Sequence, residues 1–117
     1  MYDTFIDIST AGDTCVVTVK SEIDVANAET LRRYVDEASS GVPRLVVSLA
    51  GCSYIDSSGL APLIGWARSR GDAFGCVVPS GSRAHRVFEL TRLRDIMRVY
   101  ETLDEALRSD AGKHALA

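Results

Sequence analysis

The chain alternates between two hydrophobic periods, one typical of β-strands and one typical of α-helices. Two β-rich runs at residues 5–8 and 15–19 flank the polar turn Ala11-Gly12-Asp13 and predict an antiparallel hairpin. In the segment that follows, apolar residues recur in steps of three or four, which predicts one face of a helix capped by Asp24. The predicted face contains Val25, Ala28, Leu31, Val35 and Ala38.

Later segments repeat the order of strand and then helix. A nearly continuous apolar run at residues 44–49 predicts a central strand buried on both faces, and residues 74–78 and 96–100 predict two more strands. Helices are expected after the loop 50–55, at residues 82–90, and after Thr102, where the spacing to Glu105 is that of a capping box. The inward faces of the second and third helices are predicted to be Leu60, Leu63, Ile64 and Ala67, and Ala84, Val87, Phe88 and Leu90.

This alternation predicts an α/β fold, a single domain with a mixed β-sheet of about five strands and about four α-helices packed against it. The helical connections between parallel strands are expected to be right-handed. We place the domain at residues 1–110 and predict that residues 111–117, which are small and polar, form a flexible C-terminal tail.

Length and composition agree with one domain and bear on its location. With 117 residues, 46% hydrophobic and 25% charged, the chain can bury one core but has no room for a second domain. Its longest apolar stretches fall well short of the roughly 20 residues needed to cross a bilayer. Its first residues also lack the basic start of a secretory signal. We therefore expect a cytoplasmic protein with no membrane partner.

Charge argues against a nucleic-acid partner. The formal net charge is −3, and the basic residues are spread along the chain rather than gathered into a stripe. One basic run late in the chain is predicted to be the solvated face of a helix and the turn after it. It consists of Arg83, Arg86, Arg92, Arg94 and Arg98. The expected partner is a protein.

Three cysteines, Cys15, Cys52 and Cys76, are widely spaced, without a C-x-x-C pair, and only two histidines accompany them. This pattern favours buried, reduced thiols over a disulfide framework or a zinc site, and we expect neither a metal nor a cofactor. A redox role for Cys52, in a loop close to Asp56, is the weaker alternative.

The segment Asp56-Ser57-Ser58-Gly59-Leu60 carries the candidate chemistry, two hydroxyls and a carboxylate where a loop becomes a helix. Helix capping explains such residues on local pattern alone. If Ser57 caps the helix, the Ser58 hydroxyl is free to point outward, and Gly59 would leave the neighbouring backbone open to approach. Pro62 requires that the helix begin near Ser58 or have a distorted first turn, because proline lacks an amide hydrogen.

Several motifs in order extend this one. They are Ser21-Glu22-Ile23-Asp24, the strand 45–49 leading through Tyr54-Ile55 to the central segment, Val78-Pro79-Ser80, and residues 88–93. With them, nearly the whole chain resembles a STAS domain of the anti-sigma factor antagonist family. Ser21 and Arg92 depart from that family, which commonly has glycine at both positions.

The resemblance implies a switch between partners. The unphosphorylated protein would bind an anti-sigma factor that is also an ATP-binding serine kinase, and so release a sigma factor. In the family that kinase phosphorylates the second serine of the central motif, which corresponds to Ser58 here. By this resemblance, phosphorylation of Ser58 would end binding, and a phosphoserine phosphatase would restore it. The implied partner surface is Glu22, Asp24, Asp56, Ser57, Ser58, Gly59 and Leu60.

Two alternatives compete with this switch. An enzyme would use Ser57 or Ser58 as nucleophile with His85 as base, but the segment is not a G-x-S-x-G elbow and His85 is predicted to be a solvated helix residue. We therefore expect no catalytic residues and no enzyme. The second alternative is a STAS interaction module of a transport or stress-signalling complex that is not phosphorylated. Trp66, a candidate ligand-stacking residue, is predicted to pack within the protein.

Overall fold

A five-stranded mixed sheet forms the centre of the computed structural model, which describes residues 5–109. Strands β1 (Ile6–Ala11) and β2 (Thr14–Val19) form the predicted antiparallel hairpin, turning at Gly12 with φ +62°. Strands β3 (Arg44–Ser48), β4 (Phe74–Val77) and β5 (Arg98–Tyr100) follow in parallel, so the spatial order is β1-β2-β3-β4-β5.

Four helices cover the sheet: α1 (Ala28–Ser39), α2 (Ser57–Arg70), α3 (Arg83–Thr91) and α4 (Leu103–Arg108). Alternate residues of β3 show how the two faces are divided. Leu45 and Val47 join the main core with α1, α2 and α3, while Val46 joins a smaller core with Ala106 of α4. The predicted α/β fold with a mixed five-stranded sheet and four helices is confirmed.

Connections β2-α1, β3-α2 and β4-α3 share one geometric property. Because β2, β3 and β4 are parallel, the loops that leave their carboxyl ends all lie at the same end of the sheet. The starts of α1, α2 and α3 therefore meet there, and this end carries the central motif.

Inside the main core, Trp66 is buried, as predicted. Its ring lies 6.1 Å from that of Phe74, and its indole Nε1–H donates to Asp36 Oδ1 at 2.7 Å. The partner for the polar N–H lets a large aromatic side chain enter the core without an unpaired donor. Packing accounts for this residue without a ligand.

Two predicted helix faces were wrong at one residue each. Val25 is 79% exposed, because residues 24–27 form a turn and α1 begins only at Ala28. Leu90 is 76% exposed, because it lies two residues, about 200°, around α3 from the buried Phe88. Both side chains are therefore apolar groups on the surface.

The remaining predictions about the ends of the chain differ in outcome. Thr102 caps α4 as predicted, its hydroxyl accepting from the Glu105 amide at 3.1 Å. The last strand is shorter than expected and begins at Arg98, with Ile96 exposed before it. The predicted tail at residues 111–117 lies outside the described residues, and no helix within residues 5–109 is both long and apolar enough to cross a membrane.

Arg92 shows why a glycine is suited to its position. It ends α3 with φ +58°, the one positive φ of a non-glycine residue in the described part of the chain, and its Nε donates to Asp95 Oδ2 at 3.0 Å. Left-handed backbone is strained for residues with a side chain and unstrained for glycine. Ser21, the other departure, has no such conformation.

The cysteines are free and buried, as predicted. Burial raises the pKa of all three thiols. A raised pKa lowers the thiolate fraction on which redox chemistry depends, and this argues against the redox alternative for Cys52.

Candidate functional site

The first turn of α2 is capped by Asp56, not by a serine. Asp56 has extended backbone, and its Oδ1 accepts hydrogen bonds from the amides of Ser58 at 2.9 Å and Gly59 at 3.2 Å. These are two of the amide donors that a helix start leaves unpaired. The condition considered from the sequence, that Ser57 caps the helix, is therefore not met, because the carboxylate one residue earlier already accepts from these donors.

Because Asp56 provides the cap, neither serine hydroxyl is used to cap α2. Ser57 is the first residue of α2 and exposed, and Ser58 is the second and half-buried. Neither hydroxyl makes a hydrogen bond to any residue in the range 5–109. Two free hydroxyls thus stand side by side at the helix start.

Gly59 has a packing role that the sequence did not reveal. A Cβ atom at this position would lie 2.8 Å from both Ile23 Cγ2 and Ile55 Cγ1, so only glycine fits without movement. The space around Gly59 is filled from inside the protein, and the predicted opening for an approaching molecule is wrong here. Leu60, next to it, is also buried. The predicted partner contact of these two residues stays a prediction.

Pro62 lies inside α2, as the sixth residue of the helix, and is buried. Since it has no amide hydrogen, it cannot donate the hydrogen bond that the carbonyl of Ser58 accepts in a regular helix. The predicted condition for this proline, a helix start close to Ser58, is met by the start at Ser57.

A second acidic segment lies directly beside the motif. Ile23 forms a parallel bridge with Ile55, in which the Ile23 amide donates to the Tyr54 carbonyl at 2.8 Å and the Asp56 amide donates to the Ile23 carbonyl at 3.4 Å. The bridge places Glu22 and Asp24, on either side of Ile23, next to the loop that ends at Asp56.

Hydrogen bonds hold the loop around Asp24 in a defined shape. Asn27 Oδ1 accepts from the Asp24 amide at 3.0 Å, and Asn27 Nδ2 donates to the Glu22 carbonyl at 3.0 Å. The Asp24 carboxylate accepts from the Ala26 amide at 2.9 Å, so it caps this turn. The predicted cap of α1 by Asp24 is wrong, because α1 begins only at Ala28. Val25 is presented at the outside of the loop.

The site is acidic with apolar residues at its border. Glu22 is exposed, Asp24 and Asp56 are half-buried, and none of the three forms an ion pair within residues 5–109. Two apolar side chains close to these residues in sequence are exposed, Val25 to 79% and Tyr54 to 53%. Sequence reasoning did not predict that either side chain is exposed. The spacing Asp24 to Asn27, which is typical of a capped turn, was the signal that could have found Val25.

His85 is not part of this site. Its side chain is only 18% exposed, against the prediction of a solvated residue, because its Nδ1 accepts from the Gly81 amide at 3.3 Å and holds it on the turn before α3. It makes no hydrogen bond to Ser57 or Ser58 in the described part of the chain. The geometry required of a base beside a nucleophilic serine is not present among these residues.

Comparison with known proteins identifies the family. The family model of the STAS domain matches residues 5–106. The anti-sigma-B factor antagonist of Staphylococcus epidermidis is 32% identical over 99 residues, which are 82% of this chain and 92% of the relative.

Solved structures agree in fold. The crystal structure of an anti-sigma factor antagonist from Mycobacterium paratuberculosis has a TM-score of 0.78 and 28% identity, covering 87% of this chain and 89% of that one. The phosphorylated form of the Bacillus cell fate determinant SpoIIAA has a TM-score of 0.62 and 22% identity, covering 87% and 96%, and shows likeness of fold alone. The chain belongs to the STAS domain family.

Proposed function

We propose that this protein is an anti-sigma factor antagonist, and that it binds its anti-sigma factor through the end of the sheet where α1 and α2 begin. The observation that carries the proposal is the pair of free serine hydroxyls beside carboxylates that form no ion pair in the described residues, with exposed apolar side chains close by. The printed names of the Staphylococcus and Mycobacterium relatives support it. Sigma factors act on RNA polymerase inside the cell, so this function requires a cytoplasmic location.

The surface suits a partner with basic and apolar groups. Val25 and Tyr54 can enter apolar pockets, and burying such side chains is the usual source of strong contacts at the centre of an interface. Glu22 and Asp24 offer carboxylates to arginine or lysine side chains, which speeds encounter and sets orientation. Binding of the anti-sigma factor through this surface would release the sigma factor.

Regulation in this proposal is phosphorylation of Ser58 by the anti-sigma factor itself, acting as an ATP-binding serine kinase. A phosphoserine adds roughly −1.5 to −2 charges. Asp56 already accepts from the amides of Ser58 and Gly59, so the helix start has fewer donors left to offset the new charge. The phosphate would therefore repel a partner chosen for an unmodified surface, and a phosphoserine phosphatase would restore binding.

The choice between the serines rests on two opposing points. Ser57 is the more exposed hydroxyl, which favours it as a kinase substrate. Ser58 occupies the position of the second serine in the family motif, and its carbonyl has no amide donor at Pro62, which loosens the helix at this residue. We assign the phosphate to Ser58, and Ser57→Ala provides the matched control.

The test uses the purified full chain, ATP and each candidate anti-sigma kinase. Wild type and Ser57→Ala are expected to take up phosphate, Ser58→Ala is expected to take up none, and all three should bind the kinase before phosphorylation. Ser58→Glu should bind about 100-fold more weakly, which corresponds to about 3 kcal/mol. Phosphate uptake by Ser58→Ala would show that the site is wrong. If wild type and Ser58→Glu both bind tightly to a partner protein that has no kinase activity, the alternative of an interaction module that is not phosphorylated is favoured.

A further inference from the structure

A groove lies on the other side of the motif loop, between that loop and α3. Its volume is about 200 Å³, and it is lined by Ser53, Tyr54, Ile55, Arg83, Arg86 and Val87. Ile55 and Val87 contribute apolar surface, Tyr54 stands 53% exposed at the border, and the two arginines supply positive charge. We refer to these six residues as the α3 groove.

The groove continues along one stripe of α3. Arg83, Arg86, Val87 and Leu90 follow helical spacings of three and four, so they lie on one face, while Ala84 and Phe88 point into the core. Leu90, at the far end, is 76% exposed. From Arg83 to Leu90 the stripe extends about 10 Å along the helix, at about 1.5 Å per residue. This length and mixed character suit a protein segment better than a compact small molecule.

The two arginines of the groove have no acidic partner. Neither guanidinium of Arg83 or Arg86 makes an ion pair or a hydrogen bond within residues 5–109. Some other exposed arginines are paired, as Arg98 is with Asp72 and Arg108 with Asp104, and some, such as Arg68 and Arg94, make no ion pair within the same range. What sets Arg83 and Arg86 apart is that both line one groove together with apolar side chains, and carboxylates are the natural complement of two guanidinium groups without an ion pair.

We propose that the α3 groove binds an acidic, apolar segment of the anti-sigma factor. The inference rests on the proposed function, because residues 53–55 of the groove lead directly to Asp56 and place it beside the partner surface. The interface then has an acidic half at Glu22, Asp24 and Asp56 and a basic half at Arg83 and Arg86. Opposite charges in the two halves fix the orientation of the bound partner and reject partners of the wrong charge pattern.

The first experiment measures affinity for the anti-sigma factor by titration calorimetry. The double variant Arg83→Glu/Arg86→Glu is expected to bind at least about tenfold more weakly than wild type, and less so at high salt. Arg94→Glu is the control, because Arg94 is exposed and lies outside the groove. The affinity of this variant for the anti-sigma factor should equal that of wild type. Thermal unfolding of each variant confirms that the fold is retained.

A second experiment tests the groove without the anti-sigma factor. The probe is a synthetic helical peptide of about four turns with leucine and glutamate along one face, and its control carries glutamine for each glutamate. Amide NMR spectra of the full chain should shift at residues 53–55 and 83–90 with the acidic peptide, and much less with the control or with the double variant.

The outcomes separate the inference from the proposed function. If Ser58→Glu binds the anti-sigma factor weakly but the double variant binds it with the affinity of wild type, the proposed function stands and the groove inference is wrong. If no anti-sigma factor binds the wild type, the proposed function fails, and the peptide result alone decides whether the groove takes acidic segments. If ATP, added as a nucleotide probe, shifts the groove residues and the acidic peptide does not, the groove is a nucleotide site and the inference is overturned.

Discussion

The starts of α2 and α3 look alike in the sequence and differ in the structure. Each follows a buried parallel strand, contains serine, and is capped by a side chain. At α2 the cap is the carboxylate of Asp56, and at α3 it is the hydroxyl of Ser82, which accepts from the His85 amide at 3.1 Å. The serine at α3 is therefore occupied by the helix itself, whereas Ser57 and Ser58 at α2 are not.

The other serine near α3 is occupied as well. Ser80 donates to Glu101 through its amide at 3.0 Å and through its hydroxyl at 2.5 Å. At these two helix starts, a serine hydroxyl beside the helix is free only where another residue provides the cap. The start of α2 meets that condition.

The largest expected effect is selective phosphorylation. With an anti-sigma kinase and ATP, phosphopeptide mapping should find the phosphate on Ser58 and none on Ser80 or Ser82, because the latter hydroxyls are engaged. The phosphorylated protein should bind the kinase about 100-fold more weakly. Phosphate recovered in a peptide that spans residues 79–83 would remove the distinction between the two helix starts.

The inner side of the α2 start provides the next effect. Gly59→Ala should destabilise the fold by about 2 kcal/mol, because its Cβ would lie 2.8 Å from Ile23 and Ile55 side-chain atoms. Gly65→Ala is the matched control in the same helix, where a Cβ meets nothing within 4 Å, and it should stabilise by roughly 0.5–1 kcal/mol. Urea unfolding measures both, and equal effects would contradict the packing role of Gly59.

The two caps should have similar energies and different consequences. Asp56→Ala and Ser82→Ala should each lower the free energy of unfolding by about 1 kcal/mol, since each loses a capping acceptor. Asp56→Asn should keep the cap and most of the stability, because the amide oxygen accepts the same hydrogen bonds. Loss of stability in Asp56→Asn as large as in Asp56→Ala would show that charge, and not hydrogen bonding, stabilises the start of α2.

The smallest effect concerns pH at the α3 start. The hydrogen bonds from the Ser80 hydroxyl and amide lower the pKa of the Glu101 carboxyl below its usual value. A lowered pKa in the folded state stabilises the protein above the unfolded-state pKa, and this contribution is lost as the pH falls through the folded-state value. In Ser80→Ala, NMR titration should show the pKa of Glu101 rising, with a smaller loss of stability on acidification. An unchanged pKa would disprove the coupling.

Local features were predictable where local chemistry decides them. The hairpin around Gly12 and the cap at Thr102 depend on residues close together in sequence, and both are confirmed. Errors arose where one apolar residue fitted two structures. Val25 continues the spacing of α1 but belongs to the turn before it, and Leu90 continues an apolar run but lies away from the core face of α3.

The amino-acid sequence by itself determined the α/β alternation, the presence of two serines after an aspartate, and the likeness to the STAS family, because these depend on residue order and on motifs. Only the tertiary structure decided which residue caps α2, since Asp56 and Ser57 are both good caps and their backbone conformation selects between them. The bridge between Ile23 and Ile55, which brings the acidic loop to the serines, and the groove beside α3 also came from the structure. Both join segments far apart in sequence, and the order of parallel strands in the sheet brings them together.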